Sequence, residues 1–301
     1  MTVSGPTGDS VTTDELDLGH FNGPLLVFGG PYSNLQALDA VLREAGRRNI
    51  EANHVICTGD VVAYGADPAA CLQRVRETGI TVLMGNCEES LAAGAADCGC
   101  GFDEGSACDL LSRQWYALAD REVDTDQRRW MGVLPRQLRF TLGRRRFVVT
   151  HGAPDGINRF LFRSAPDWSE KARLLRAVQA DAIIGGHCGL PFLEQETEGL
   201  WLNAGAIGLP ANDGTPRGWF ALLTPRADGI AIDLEPLRYD HAGAAARMHE
   251  AGLDSGYRQT LLDGLWPSQD VLPPAEKAER GRPLSARRFF WSDAAPARTA
   301  A

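Results

Sequence analysis

The sequence predicts an α/β protein built around a parallel sheet, because short buried apolar runs alternate three times with helical patterns and several of those runs end in one polar residue. A later group of strands, joined by shorter connections, adds an antiparallel part.

Residues 25–30, LLVFGG, read as the first buried strand, and NLQALDAVLREAGRRN from Asn34 reads as an amphipathic helix. HVICTGD (54–60) is a second strand ending in a Gly-Asp turn, followed by a helix through AACLQRVRETG, and ITVLMGN (80–86) is a third strand. The stretch 94–108, GAADCGCGFDEGSAC, reads as an inserted loop, and LLSRQWYALAD and DTDQRRWMGVL carry helical patterns. LRFTLGRRRFVVTHG reads as a β-hairpin ending at His151, and DAIIGGH (181–187) as another strand ending in a histidine. WLNAGAIGLP, GWFALLTP and GIAIDLEPL form a predominantly antiparallel set. The expected organisation is a disordered or extended start (1–20), one domain (21–238), a helical extension (239–270) and a Pro/Ala/Arg-rich tail (271–301) that is poorly ordered at its end.

A net charge of −9 argues against a nucleic-acid footprint, which needs a basic stripe to neutralise phosphates. The run Arg144, Arg145, Arg146 reads as a solvated hairpin turn. The acidic, polar start lacks a leader pattern, and no apolar run approaches the roughly 20 residues of a membrane span. The chain is therefore expected to be soluble and cytoplasmic, with no membrane partner; a homo-oligomer stays open. Seven cysteines, an odd number in a chain of 301 residues, fit a reducing compartment.

Asp60, Asn86, His151 and His187 each close an apolar run, so all four should project from one edge of the sheets. Alone, each reads as a cap or a hydrogen-bonded structural residue. Together they form a mixed N/O set suited to Mn, Fe or Zn, which would acidify a water and polarise a phosphoryl oxygen.

The ordered blocks GGPYSN (29–34), GDVVAYGADP (59–68), GNCEE (85–89), THGAP (150–154), GHCGLP (186–191) and NAGAIGLP (203–210) resemble those of the calcineurin-like metallophosphoesterases, in particular their small bacterial phosphodiesterase-like branch. The resemblance covers roughly residues 24–236 and implies a four-layer α/β/β/α sandwich of two mixed sheets. It also implies a site with two metals. Here the chain departs from the family: Gly30 and Tyr32 stand where the first block supplies Asp and His, and Gly189 where the last block supplies a second His. One metal position is thus expected to be dismantled, and the other to keep Asp60, Asn86, His151 and His187 around a single transition-metal ion. The histidine that assists the leaving group in the family is Cys87 here, a poor proton donor to an alkoxide but a soft ligand if ionised.

Tyr32 or Tyr64 would replace lost ligands as phenolates, or else merely pack; Cys188 is a further thiol near the site; Asn34 would position a phosphate; Glu88 or Glu89 would stand in as acid, or begin a helix. Cys98, Cys100 and Cys108 do not match common zinc-finger spacing and read as reduced thiols or a structural zinc site. A sharper arrangement brings their loop over the site beside Cys87, as a soft metal site or a redox pair. The leading expectation is a metal-dependent phosphomonoesterase or phosphodiesterase acting on a phosphorylated small molecule. The alternatives are a catalytically impaired binding or regulatory module and a metalloenzyme with thiolate-ligated chemistry.

Overall fold

The computed structural model describes residues 14–101 and 104–293; the remaining parts of the expected start, cysteine loop and tail lie outside the described residues. The chain opens with β1 (Glu15–Phe21), β2 (Leu25–Phe28), α1 (Leu35–Arg47), β3 (Val55–Cys57), α2 (Pro68–Thr78), β4 (Thr81–Val82) and α3 (Asn86–Ala93). Helices α4 (Ala107–Glu122) and α5 (Thr125–Met131) lead into β5 (Gln137–Leu142), β6 (Arg145–Thr150), α6 (Trp168–Ala177), β7 (Ala182–Gly185), β8 (Pro191–Glu196) and β9 (Gly199–Ala204). Strands β10 (Gly218–Arg226) and β11 (Gly229–Leu237) precede α7 (His241–Glu250), α8 (Gly256–Asp263), α9 (Pro274–Ala278) and β12 (Arg287–Ser292).

Two six-stranded mixed sheets result, in the orders β1-β5-β6-β7-β9-β8 and β12-β11-β10-β2-β3-β4. Strand β2 shows why they stack. Its residues alternate between faces, and both faces are apolar: Leu25 and Val27 meet Leu138, Val149 and Ile184 between the sheets, whereas Leu26 and Phe28 meet the outer helices through residues such as Leu38 and Leu72. On the far side, Val148, Ile183 and Trp201 pack beneath Leu174 and Leu175 of α6. Three interlayer cores make the four layers α/β/β/α that the family resemblance implied.

Several expectations change. The acidic start is not wholly irregular, because Glu15–Phe21 adds an edge strand parallel to β5. The tail is pinned as far as β12, which pairs antiparallel with β11 from Leu234↔Arg287 to Gly229↔Ser292. The WLNAGAIGLP strand does not join its antiparallel neighbours in sequence: β9 lies in the other sheet, parallel to β7 and antiparallel to β8. The third strand is cut to Thr81–Val82, and Asn86 opens α3 rather than closing a strand, its turn held by the Met84 N–H donating to the Pro135 carbonyl at 2.9 Å. Among the described residues no helix is long and apolar enough to cross a membrane.

Candidate metal centre

The site lies where the carboxyl ends of both sheets meet. The turn after β3 carries Asp60 and the start of α3 carries Asn86, from one sheet; β6 and β7 run out into His151 and His187, from the other. Asp60 and His187 both take left-handed backbone conformations, φ 55° and 42°, which turn their side chains back over the strand ends. Gly59 is required beside them: its φ is 98°, and a Cβ there would lie 2.9 Å from His151 Nδ1 and 2.8 Å from the Gly85 nitrogen.

His151 Nδ1 donates to the Thr58 carbonyl at 2.7 Å, which turns Nε2 into the site. There Nε2 lies 3.0 Å from Asn86 Oδ1, 3.2 Å from His187 Nδ1 and 3.2 Å from Asp60 Oδ2. The amide orientation of Asn86 is fixed from behind, where Nδ2 donates to the Cys98 carbonyl at 2.8 Å. Four lone-pair atoms therefore converge on one small volume, an arrangement that a cation stabilises. In the metal-free protein that cation is a proton. Burial pulls the His151 imidazole down, but the Asp60 carboxylate and the Thr58 carbonyl outweigh it and hold its pKa above the ordinary value. Burial likewise opposes ionisation of Asp60, yet His151 brings its pKa below the usual carboxylate range. His187 is pushed down to about 3, by burial first and by neighbouring His151 second, so it presents a neutral ring.

Glu88 is a brace. Its fully buried carboxylate accepts from the backbone N–H groups of Asp60 at 2.8 Å, Val62 at 3.1 Å and Gly85 at 2.9 Å, tying the Asp60 turn to the start of α3. Burial, then the charge of Asp60, raises it to about 7. Its oxygens are taken up by the backbone, so it is not the substitute acid; Glu89 is paired with Arg136. Sequence reasoning named Glu88 but not this task, and it had no signal for Thr58, which acts through its carbonyl, or for Asn203, whose Nδ2 lies 3.1 Å from Cys188 Sγ and whose Oδ1 accepts from the Gly205 N–H at 2.9 Å beneath the His187 turn.

The other metal position is filled. The Tyr32 ring lies flat against Gly30, where a Cβ would come within 2.3 Å of Cζ, and its hydroxyl lies 3.4 Å from where a Cβ of Gly189 would be. The ring thus occupies the space into which side chains at 30 and 189 would project. Burial, then the charge of Asp60, holds the Tyr32 phenol well above its ordinary pKa, and Tyr64 is raised likewise, by burial first and by Tyr257 next. Without a metal both stay neutral phenols. They begin an aromatic wall: Tyr32 meets Tyr64 edge-on at 4.8 Å, and Tyr64 meets Trp115 at 5.2 Å and Tyr257 at 4.4 Å.

Asn34 also changes role. Its Oδ1 caps α1 by accepting from the Ala37 N–H at 3.0 Å and its Nδ2 donates to the Gly208 carbonyl at 3.0 Å, so both ends of the amide are committed to structure. Cys87 is buried and its thiol is held above its ordinary pKa by burial first and then by Asp60, which makes it a poor proton donor. Cys188 is likewise buried, its thiol pushed up to about 12. Cys98 and Cys100 are joined by a disulfide, whereas Cys108 is free at the start of α4 and lines one cavity with Cys100 and His187. Cys98 and Cys100 are thus bonded to each other rather than reduced thiols, zinc ligands or partners of Cys87, which stays free.

Beside the cluster is a cavity of about 50 Å³, lined by Asp60 and His187 and by Tyr32, Tyr64, Phe160, Tyr257 and Trp266 among others. No lysine or arginine lines it among the described residues. The segment after β11 closes over it: Tyr257 of α8 stacks on Tyr64, the Trp266 indole donates to the Pro210 carbonyl at 2.6 Å, and the Trp266 N–H donates to Asn212 Oδ1 at 2.8 Å.

Residues 32–228 match the calcineurin-like phosphoesterase superfamily domain. The chain belongs to that superfamily. A relative, the uncharacterized protein MJ0912 of Methanocaldococcus jannaschii, is 26% identical over 204 residues, spanning 64% of this chain and 77% of that protein. The fold is similar to a metallophosphoesterase from Sphaerobacter thermophilus (TM-score 0.63, 23% identity, 80% of this chain and 99% of that one). It is also similar to the hypothetical protein PH1004 of Pyrococcus horikoshii OT3 (TM-score 0.66, 17% identity, 81% and 99%). The superfamily is metal-dependent, and the donor set of Asp60, Asn86, His151 and His187 fits a transition metal, whereas the surroundings of Gly30, Tyr32 and Gly189 do not.

Proposed function

We propose that the protein is a metal-dependent phosphoesterase with one metal ion, selective for phosphodiester monoanions that carry an acidic leaving group. The observation that carries this reading is the pairing of one converged N/O cluster with a neighbouring metal position filled by the Tyr32 ring. Held by Asp60, Asn86, His151 and His187, an ion of Mn, Fe or Zn supplies Lewis acidity to a phosphoryl oxygen and to a water.

The chain's own residues set the selectivity. Asp60 offsets one charge of a divalent ion, and no Lys or Arg lines the cavity among the described residues, so one net positive charge faces the substrate. A diester monoanion balances it; a monoester dianion leaves an unpaired charge against an aromatic wall. Cys87, a buried thiol where the family has a histidine, is a poor proton donor to the departing oxygen, so alcohols that leave readily as anions depart fastest. Tyr257 and Trp266 narrow the cavity and give it an apolar wall beside the cluster.

The test is hydrolysis of bis(4-nitrophenyl) phosphate against 4-nitrophenyl phosphate, with protein carrying one equivalent of Mn. The diester is expected to be favoured, and chelator to stop the reaction. Preference for the monoester would overturn the charge argument. Bound metal with hydrolysis of neither substrate would favour the binding-module reading.

A further inference from the structure

The Cys98–Cys100 disulfide closes a Cys-Gly-Cys turn just after α3, and that turn holds the metal cluster through the Asn86 amide and also adjoins His187. The Asn86 amide has two ends. Its Oδ1 faces His151 Nε2 at 3.0 Å; its Nδ2 donates to the Cys98 carbonyl at 2.8 Å and lies 3.3 Å from Cys100 Sγ. The turn is clipped from its other side by Asn158, whose Nδ2 donates to the Gly99 carbonyl at 3.0 Å, and within itself by the Gly99 N–H donating to Asp97 Oδ1 at 2.9 Å. Cys100 also lines the cavity beside His187. The disulfide therefore stiffens the peptide that decides which end of the Asn86 amide points at the cation.

We propose that Cys98 and Cys100 form a reversible dithiol/disulfide site that sets the metal affinity of the adjoining cluster, high when the pair is oxidised and low when it is reduced. The inference rests on the four-ligand reading of Asp60, Asn86, His151 and His187. Both sulfurs are buried, but the flanking residues 95–97 and Gly101 are exposed, so opening a short surface turn suffices for attack. The reductant is a dithiol. One of its sulfurs, as thiolate, attacks one sulfur of the pair; the S–S bond breaks, a mixed disulfide forms, and the other cysteine leaves as a thiolate that takes up a proton. The second sulfur of the reductant then resolves the mixed disulfide, releasing the second cysteine, and two electrons and two protons have passed from dithiol to protein. With the link gone, the Cys98 carbonyl is free to leave Nδ2, and the amide loses the partner that fixed Oδ1 on the cluster. Partners of this kind behind a metal ligand change metal affinity by roughly 10- to 100-fold.

The experiment uses the full chain in two forms, air-oxidised and dithiol-reduced, with the reductant removed by desalting under argon. Thiols are counted in denaturant and Mn affinity is measured by calorimetry; Mn is the probe because thiols bind it poorly. The expected count is five thiols in the oxidised form, the free cysteines Cys57, Cys71, Cys87, Cys108 and Cys188, against seven after reduction. The oxidised form should bind Mn at least about tenfold more tightly, with Cys98→Ser/Cys100→Ser matching the reduced protein under either condition. Seven thiols in the oxidised preparation, or equal Mn affinities, would overturn this inference alone. No Mn binding in either form would overturn the cluster reading and this inference with it.

Discussion

His151 Nε2 and Asp60 Oδ2 lie 3.2 Å apart in buried space, with the imidazole held in place by the Thr58 carbonyl behind it. A metal ion would compete with protons for these two residues, so its binding should strengthen as pH rises. The purified protein is expected to hold about one equivalent of Mn, Fe or Zn by elemental analysis, and Asp60→Ala and His151→Ala to hold none. Each variant also strands a buried partner, so loss of stability of about 3 kcal/mol is expected in chemical denaturation.

Gly30 and Tyr32 are one unit. A Cβ at position 30 would strike the Tyr32 ring at 2.3 Å, on a backbone of φ 41°. Gly30→Ala should cost about 3 kcal/mol in wild type and much less in a Tyr32→Ala background, because removing the ring removes most of the clash. Additive costs in a double-mutant cycle would mean that the ring is not what excludes the side chain. The triple change Gly30→Asp, Tyr32→His, Gly189→His should raise bound metal from about one equivalent towards two, whereas Tyr32→His alone should not.

Burial of His187, reinforced by neighbouring His151, sets a pH dependence. The folded-state pKa of His187 lies near 3 against 6.5 when unfolded, so the unfolded chain binds the extra proton first as pH falls. Its contribution is fully present above pH 6.5 and declines below. In metal-free protein, wild type should lose on the order of 1 kcal/mol relative to His187→Asn between pH 7 and pH 5, allowing for its partial exposure. Parallel melting curves for the two proteins across that range would contradict this.

Glu88 links two turns through three backbone N–H groups, and Glu88→Gln leaves only one acceptor oxygen for them. Thermal unfolding should report a loss of about 2 kcal/mol. Because Asp60 and Asn86 sit on the tied segments, metal affinity should fall as well. A destabilised variant with wild-type metal affinity would restrict Glu88 to folding.

Asp60, His151 and His187 were legible because each follows an apolar run with nothing else at the strand end to occupy the same edge. Asn86 was legible as a member of the cluster but not in its element, since it opens α3 rather than closing a strand. Asn34 misled because one residue can cap a helix and stand in a site loop, and sequence does not say which. Tyr32 as a plug depends on its close approach to Gly30 and Gly189, positions far apart in the chain. The two edge strands were missed for a common reason. β1 and β12 each leave most side chains exposed, so neither shows the apolar alternation that marks a strand covered on one face.

The pairing of β11 with β12 has a mechanical meaning for the cover over the cavity. Residues 238–286 leave the sheet beyond Leu234 and return opposite it at Arg287, so the covering segment is the loop of a long hairpin whose feet stand one strand spacing apart, about 4.8 Å. Such a loop cannot drift away as a free tail would; it stays at high local concentration over the site and reseats after each opening without a fresh search. Cutting the chain before β12 would keep every residue that touches the cavity and still change how long the site stays open.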